Sequence, residues 1–199
     1  MPQHALLYQT EDTVPYECDG LTAYRQRPLM VALPETDAQI AAVLKTCFAL
    51  DVPVVARGAG TGLSGGAMPH KLGVTLSLAK FNKIIKMDKR SRTAVVQCGV
   101  RNLAISEAAA PIGLYYAPDP SSQIACTIGG NVAENSGGVH CLKYGLTLHN
   151  VLKVKGYTIE GNPITFGSDA LDAPGYDLLS LVVGSEGMLA VITEVTVKL

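Results

Sequence analysis

Several sequence signatures that would assign a function directly are missing from this chain. None of the five cysteines falls in a C-x-x-C pattern, and the four histidines show no paired ligand spacing, so no metal site is expected. The sequence contains no Gly-Lys-Ser or Gly-Lys-Thr, no His-Arg-Asp and no Asp-Phe-Gly. These absences exclude a P-loop nucleotide hydrolase and a protein kinase.

An excess of charge and a long apolar run are also lacking. The net charge of -1 and the pI near 6.4 give no general attraction to nucleic acid. No apolar stretch approaches the ~20 residues that span a bilayer, and Gln3, His4 and Glu11 occupy the place of a signal-peptide core. The cysteines are odd in number and widely spaced, which favours reduced thiols. We therefore expect a cytoplasmic protein with no transmembrane segment and no nucleic-acid partner.

The hydrophobic pattern predicts a protein that contains both helices and strands. With 199 residues, 48% of them hydrophobic, the chain has enough material for one large domain or two small lobes. A strand at residues 29–33 precedes a helix that begins with a capping box of Thr36 and Gln39, and a strand at 52–56 follows. This order predicts a β-α-β unit. The helix is expected to bury the face formed by Ile40, Val43, Leu44, Cys47 and Phe48.

The remaining elements are predicted from shorter patterns. The charged run at 83–92 is predicted to be a solvated turn, residues 161–163 another turn, and residues 102–110 a short Ala-rich helix. Further strands are predicted at residues 74–78, 93–97, 151–159 and 190–199.

A glycine-rich stretch follows the second strand of the β-α-β unit. It reads Arg57-Gly-Ala-Gly-Thr-Gly-Leu-Ser-Gly-Gly-Ala67, with five glycines in eleven positions. Glycine permits positive φ and lets successive N–H groups face one side, which forms a concavity for anionic oxygens. A diphosphate is the expected ligand, and a flexible surface turn is the alternative.

The same stretch satisfies G-x-G-x-x-G between Gly60 and Gly65, but it lacks the context of a Rossmann fingerprint. That fingerprint requires a helix at once and an acidic residue about 20 positions later. Here Pro69 and Gly73 interrupt the following segment, and a strand comes next. The stretch is therefore predicted to be a different kind of phosphate loop.

A second polar stretch, residues 118–138, reads Pro-Asp-Pro-Ser-Ser-Gln-Ile-Ala-Cys-Thr-Ile-Gly-Gly-Asn-Val-Ala-Glu-Asn-Ser-Gly-Gly. Glycines allow the backbone to approach a flat ligand, while hydroxyl and amide side chains supply hydrogen bonds. We interpret it as a second wall of the site, with a long irregular loop as the alternative.

Residues 57–67, 118–138 and 184–193 together resemble the FAD-binding domain of the vanillyl-alcohol oxidase family, also called the p-cresol methylhydroxylase type. The resemblance covers residues 14–199. Tyr16-Glu-Cys-Asp-Gly-Leu-Thr-Ala-Tyr-Arg25, Val139-His-Cys-Leu-Lys-Tyr-Gly145 and Gly167-Ser-Asp-Ala-Leu-Asp172 are most similar to the members that oxidise glycolate.

The resemblance implies an α+β, two-lobed FAD-binding domain over residues 1–199, with one lobe at about 27–87 and the other at about 88–199. Residues 57–63 would hold the FAD diphosphate through backbone N–H groups, residues 118–126 would line the isoalloxazine ring, and residues 127–138 would reach both the ring and the diphosphate. The ribose and adenine would be closed over by Glu186, Gly187, Val191 and Ile192. The implied cofactor-binding residues are Arg57, Gly58, Ala59, Gly60, Thr61, Gly62, Leu63, Pro118, Asp119, Ser121, Ser122, Thr127, Gly129, Gly130, Asn131, Asn135, Gly137, Gly138, Tyr144, Gly145, Glu186, Gly187, Val191 and Ile192.

Two departures from the family pattern modify this expectation. Members with covalent flavin often carry His in the glycine stretch, where this sequence has Thr61, so non-covalent FAD is expected. The family's cap domain, which carries the metal-binding and carboxylate-binding motifs, would begin beyond Leu199. No residue is assigned as the general base, and for His140 a place near the ring and a structural role are both open.

The resemblance implies the FAD-binding part of a 2-hydroxy acid oxidase or dehydrogenase. A small 2-hydroxy acid, with glycolate as the leading candidate, would pass a hydride to the flavin, and a cap domain or partner oxidase subunits would complete the enzyme. Three alternatives stay open at this point. They are a catalytically incomplete FAD-binding module, a flavin reductase of the same fold that uses a nicotinamide cofactor, and a phosphate-binding protein without flavin.

Overall fold

The computed structural model describes residues 1–170 and 175–199. The described strands are β1 (Leu6–Leu7), β2 (Met30–Ala32), β3 (Val54–Arg57), β4 (Val74–Ser77), β5 (Ile84–Asp88), β6 (Thr93–Gln97), β7 (Val151–Tyr157), β8 (Pro163–Gly167) and β9 (Val191–Lys198). The described α-helices are α1 (Thr10–Thr13), α2 (Asp37–Ala49), α3 (Asn102–Ala109), α4 (Ile128–Glu134), α5 (Cys141–Tyr144), α6 (Thr147–Asn150) and α7 (Leu178–Val182).

The first sheet contains the predicted β-α-β unit, but its two strands are not neighbours. The strand order is β1-β2-β4-β3, and both β2 and β3 run parallel to β4, which lies between them. All four residues of β4 are buried, as expected for a strand covered on both faces. The glycine-rich residues therefore leave the carboxyl end of β3 at the edge of the sheet, where parallel sheets commonly bind ligands.

Helix α2 begins at the predicted cap residue, Thr36, but the Gln39 side chain bonds to the residue before the cap and not to the cap itself. The Thr36 hydroxyl accepts a hydrogen bond from the Gln39 N–H at 3.3 Å, whereas the Gln39 side chain accepts from the N–H of Glu35 at 2.7 Å. The buried face is narrower than predicted. Ile40, Leu44 and Cys47 are buried, but Phe48 is 53% exposed because it lies at the margin of the helix face that packs on the sheet.

The second sheet is antiparallel throughout, with the order β5-β6-β9-β7-β8. Its first edge strand corrects the prediction for residues 83–92, because β5 pairs with β6 and only residues 89–92 turn. The strand was predicted as a turn because it contains charged residues such as Lys86 and Asp88, whose Nζ and Oδ2 atoms lie 3.3 Å apart. Charged side chains are nevertheless common on exposed sheet edges. The other edge strand, β8, was not predicted and begins at Pro163, a position where proline is tolerated.

The second polar stretch contains a helix that the sequence analysis did not assign. Helix α4 begins after Thr127, whose hydroxyl accepts a hydrogen bond from the N–H of Gly130 at 3.4 Å. Its buried Ile128 and Val132 lie one turn apart. In the sequence, Gly129 argued against a helix here, because glycine disfavours helices. A Cβ at this position would lie 2.7 Å from the Cβ of Cys98, so glycine allows α4 to approach the end of β6.

The apolar residues near 178–183 form α7, which Asp177 caps by accepting from the N–H of Ser180 at 3.1 Å. Of the motif at 167–172, Leu171 and Asp172 lie outside the described residues. Elsewhere in the described part of the chain, no helix combines the length and the apolar character needed to cross a membrane.

The two sheets and the helices share one hydrophobic core. Leu76 and Phe81 from the first half of the chain pack in the same cluster as Val96, Ile105 and Val195 from the second half, and each is at most 1% exposed. This continuous core fixes the carboxyl end of β3 relative to α4.

The cap of α2 provides a test of the local fold. Thr36→Ala should lower the free energy of unfolding by about 1 kcal/mol, because the N–H of Gln39 loses its acceptor. Urea unfolding would measure the change. Thr46→Ala is the matched control, since the Thr46 hydroxyl bonds back to the carbonyl of Ala42 within the exposed helix face and alanine favours the helix. A Thr36 variant as stable as the Thr46 variant would contradict the assigned role of the cap.

Candidate cofactor-binding site

A cavity of about 330 Å³ lies between the glycine-rich residues and helix α4. We call residues 57–67 the glycine loop. One wall is the glycine loop, the opposite wall is α4 with Ser122 and Cys126, and residues 185–187 form a third side. The apolar back is formed by Leu78, Cys98, Val182 and Ile192. The volume falls at the lower end of the range for cofactor pockets, which is about 300 to 1,000 Å³.

The backbone of the glycine loop offers hydrogen-bond donors to this cavity. Residues 58–63 all line it, and the N–H groups of residues 59–67 donate to no other described residue. Successive backbone N–H groups that no protein group satisfies, beside a cavity, are suited to bind an anion. The loop therefore has the chemistry of a diphosphate cradle.

Two glycines of the loop are required for different reasons. A Cβ at Gly58 would overlap the hydroxyl oxygen of Thr127, so glycine allows the two walls to approach. Gly60 has φ of +70°, and a Cβ there would overlap the guanidinium of Arg57. A side chain at residue 60 would therefore displace the Arg57 guanidinium, which lies beneath the loop.

Two carboxylates stand at the mouth of the cavity beside the glycine loop. A Cβ built on Gly66 would lie 3.3 Å from Oε1 of Glu134 and 3.6 Å from Oε2 of Glu186. Ser64 donates a hydrogen bond to Glu134 at 3.0 Å. Glu186 adopts φ of +53° and its N–H donates to the carbonyl of Ala133 at 2.8 Å, which docks residues 184–187 onto α4. Carboxylates in this position are suited to accept hydrogen bonds from ribose hydroxyls.

Buried amides hold the second wall in place. Asn131 donates through Nδ2 to Oδ1 of Asn102 at 2.8 Å, and Asn102 donates to the carbonyl of Pro118 at 2.9 Å. Asn135 has φ of +52° and accepts from the N–H of Leu148 at 3.0 Å. The amide groups predicted to contact a ligand at 131 and 135 are therefore engaged within the chain.

The structure divides the predicted site residues into two groups. Within the described part of the chain, the cavity lining includes Arg57, Gly58, Ala59, Gly60, Thr61, Gly62, Leu63, Ser122, Thr127, Gly129, Gly130, Asn131, Glu186, Gly187 and Ile192. The predicted residues that lie outside its lining are Pro118, Asp119, Ser121, Asn135, Gly137, Gly138, Tyr144, Gly145 and Val191.

Part of the second group forms a polar cluster around Asp119. Nδ1 of His140 lies 2.5 Å from Oδ2 of Asp119, and the backbone N–H of His140 donates to Oδ1 at 3.2 Å. Burial acts to raise the pKa of Asp119, but the hydrogen bonds and charge of His140 outweigh it and hold that pKa below its ordinary value. These hydrogen-bond contacts join residues 118–120 to the segment that precedes α5.

A pair of tyrosines lies beside His140, whose ring centre is 6.5 Å from that of Tyr144. Tyr115 donates to the phenol oxygen of Tyr144 at 2.8 Å, and the ammonium of Lys143 lies 4.9 Å from the centre of the Tyr144 ring. The hydrogen bond from Tyr115, followed by Lys143, lowers the pKa of Tyr144.

Of the four residues at the apolar back of the cavity, the sequence predicted Ile192 but not the other three. Leu78, Cys98 and Val182 belong to segments that carry no glycine or polar signature, so no local pattern marks them as site residues. Burial raises the pKa of Cys98 to about 12. Its thiol is therefore protonated at neutral pH and does not act as a nucleophile. Glu134 lies within the second polar stretch and could have been found there as an acceptor for hydroxyl groups.

Comparison with known proteins gives a family and several relatives for this chain. A family model described as an FAD binding domain matches residues 28–167. The chain is 63% identical over 199 residues to glycolate oxidase subunit GlcD of Escherichia coli (strain K12), covering 100% of this chain and 40% of that protein. It is 40% identical over 171 residues to a D-lactate dehydrogenase of Archaeoglobus fulgidus, covering 85% of this chain and 38% of that protein.

Among solved structures, alkyldihydroxyacetonephosphate synthase superimposes with a TM-score of 0.87 at 20% identity, over 100% of this chain and 38% of the other. This likeness concerns the fold. The chain spans about 40% of the length of the curated relatives that it matches.

The glycine loop can be tested with a pair of alanine substitutions. Gly60→Ala should weaken FAD binding by about tenfold or more, because its Cβ displaces the Arg57 guanidinium and alanine disfavours positive φ. Gly113→Ala places alanine at a similar φ of +77° with no atom within 4 Å, and so reports the backbone strain alone. Fluorescence titration would measure both affinities. Equal FAD affinity in the two folded variants would contradict the assignment.

Proposed function

This chain belongs to the FAD binding domain family, and from that premise we propose that it is the cofactor-binding part of an FAD-dependent 2-hydroxy acid oxidoreductase, with glycolate as the leading substrate. The family and the p-cresol methylhydroxylase type of fold expected from the sequence motifs are both confirmed. Membership also argues against the alternative of a phosphate-binding protein without flavin.

The observation that carries the proposal is the run of glycine-loop N–H groups that donate to no described residue, in a loop that faces α4 across a cavity. The fit to FAD is supported by the close approach at Gly58, by anion donors on one side, and by the carboxylates of Glu134 and Glu186 for ribose hydroxyls. We assign the diphosphate to residues 58–62 and the ribose and adenine to residues 186–192. The isoalloxazine ring is assigned to the walls at 118–126 and 127–138.

The chemistry that FAD supplies when bound is acceptance of a hydride from the α-carbon of the substrate. The tasks of this chain are to bind and orient. The Asn102 network positions Pro118 and Asn131, and the pair of Asp119 and His140 ties residues 118–120 to the next segment. These contacts fix the second wall in one arrangement before any ligand binds, which lowers the entropic cost of binding.

The substrate and partners are proposed from the relatives. Glycolate oxidase and D-lactate dehydrogenase both have small 2-hydroxy acids in their names, which favours this class over a reductase that uses a nicotinamide cofactor. The first of these relatives is described as a subunit, so we propose that a cap domain or partner oxidase subunits complete the active site. We also propose the two-lobe division near residue 87, and a reducing cytoplasmic compartment because all five cysteines are free thiols.

Purified chain mixed with FAD tests the cofactor assignment directly. We expect non-covalent binding, because Thr61 offers no ring nitrogen for attachment. Acid precipitation of the yellow complex should therefore release all of the flavin into the supernatant. Colour that stays with the precipitate would show a covalent bond, and a preparation that takes up no FAD would refute the cofactor assignment.

We further expect that the chain of residues 1–199 binds FAD but is not reduced rapidly by 2-hydroxy acids. Orientation of the α-carbon and carboxylate can supply roughly 7 to 11 kcal/mol of rate acceleration, and it requires cations converging on the substrate. Among the described residues that line the cavity, Arg57 is the only lysine or arginine, and it is 8% exposed beneath the loop.

The rate of flavin reduction is measured by mixing the FAD complex anaerobically with glycolate or D-lactate and following the flavin absorption. L-Lactate serves as a stereochemical control. Rapid loss of the flavin absorption with glycolate or D-lactate would show that these residues alone contain a complete active site.

A further inference from the structure

A segment that precedes the family match lies against the outer side of the glycine loop. The match covers residues 28–167, whereas residues 16–21 come from the N-terminal part of the chain. These residues read Tyr16-Glu-Cys-Asp-Gly-Leu21, and we call them the brace. None of the brace residues lines the cavity, so any effect of the brace on a ligand acts through the glycine loop.

Arg57 is the side chain that connects the brace to the glycine loop. Its guanidinium is buried beneath Gly60, and NH1 donates to the carbonyl of Ala67 at 3.3 Å. The bond joins the first and the last residue of the glycine loop. The same guanidinium lies 5.6 Å from the centre of the Tyr16 ring, within the range of a cation–π contact.

The brace also touches the loop backbone directly. A Cβ on Gly20 would lie 2.8 Å from the carbonyl oxygen of Thr61 and 3.0 Å from that of Gly62. Gly20 has no positive φ, so its need for glycine comes from this close approach and not from its own conformation. The carbonyls of Thr61 and Gly62 are thereby held against the brace.

A buried acid completes the group beneath the loop. Asp19 is 4% exposed, its Oδ1 accepts from the N–H of Leu21 at 3.0 Å, and its Oδ2 has no hydrogen-bond partner among the described residues. Burial lowers the pKa of Arg57, while Cys18, Tyr16 and Asp19 act to raise it. The contribution of Asp19 is the smallest of these three, so Asp19 adds only weakly to the electrostatic environment of Arg57.

We propose that the brace is part of the cofactor site, where it acts through Arg57 as a support that holds the glycine loop in its diphosphate-binding conformation. Arg57 is then a positioning residue, and its side chain is not a direct ligand of the diphosphate. The inference rests on the proposed function, because the diphosphate is that of FAD.

The physical reason for such a support is the entropy of the loop. Five glycines in eleven residues give the free loop many conformations, and fixing one backbone residue costs about 1 to 2 kcal/mol. A guanidinium bond across the loop and backbone contact at residues 61 and 62 restrict those conformations before the ligand arrives. The benefit should be confined to ligands that contain the diphosphate.

The test compares FAD, ADP and riboflavin as ligands of the full chain, since only the first two contain a diphosphate. Gly20→Ala should weaken FAD and ADP by about tenfold and riboflavin by less than twofold, because its methyl group displaces the loop from outside the cavity. Arg57→Met should show the same selectivity with a larger loss, and Arg57→Lys should recover part of it. Thermal unfolding of each variant verifies the fold.

Arg25→Met is the matched control, since Arg25 contacts Glu17 of the brace at 2.8 Å but is exposed and lies outside the site. It should leave all three affinities within twofold. Arg57→Met removes the buried hydrogen bond to the carbonyl of Ala67 and is expected to be less stable, so the Gly20 variant decides the matter if the Arg57 variant does not fold.

Unchanged FAD affinity in folded Gly20→Ala, or an equal loss for riboflavin, would overturn the role of the brace while the cofactor assignment stands. Wild-type protein that binds none of the diphosphate ligands would instead remove the proposed function itself.

Discussion

The constraint on which the rest of the structure depends is a glycine loop whose N–H groups are unpaired within the described chain. The backbone N–H groups of the loop donate to no described residue, and one hydrogen bond, from the Arg57 guanidinium to the carbonyl of Ala67, crosses it, so its shape depends largely on what surrounds it. The parallel strands β3 and β4 fix where it begins, α4 approaches it from the front, and Arg57 with residues 16–21 supports it from behind. The approach of α4 needs Gly58, and the support from behind needs Gly20 and Gly60.

Of the five described non-glycine residues with left-handed φ, two lie at the wall opposite the loop. Asn135 and Glu186 both adopt left-handed φ values, which cost of order 1 to 3 kcal/mol for residues other than glycine. Each is held by hydrogen bonds, from Leu148 to the Asn135 side chain and from the Glu186 N–H to Ala133. The result is a turn that carries the Glu186 carboxylate to the mouth of the cavity beside Glu134. The fold thus applies local strain where polar groups must converge.

The polar and charged groups of the cavity suit cofactor binding, whereas catalysis on a substrate carboxylate would need further positive groups. The cavity offers N–H donors for an anion and carboxylates for hydroxyl groups, and its back is apolar. Among the described lining residues the one lysine or arginine is Arg57, which is 8% exposed and whose guanidinium lies against Gly60. A site of this kind binds a dinucleotide, whereas fixation of a substrate carboxylate requires further positive groups. This agrees with a chain that spans about 40% of its curated relatives.

The sequence by itself determined the features that depend on neighbouring residues. The Thr36 cap, strand β6, helix α3 and the glycine loop follow from capping, alternation and glycine content, and the order of three motifs was enough to indicate the family. Tertiary structure alone decided the rest. Strand β4 enters between β2 and β3, α4 forms despite Gly129 because Cys98 packs against it, and charged β5 pairs at a sheet edge. The apolar back of the cavity and the buried Arg57 arise from residues distant in sequence, whose proximity is set by packing and not by any local pattern.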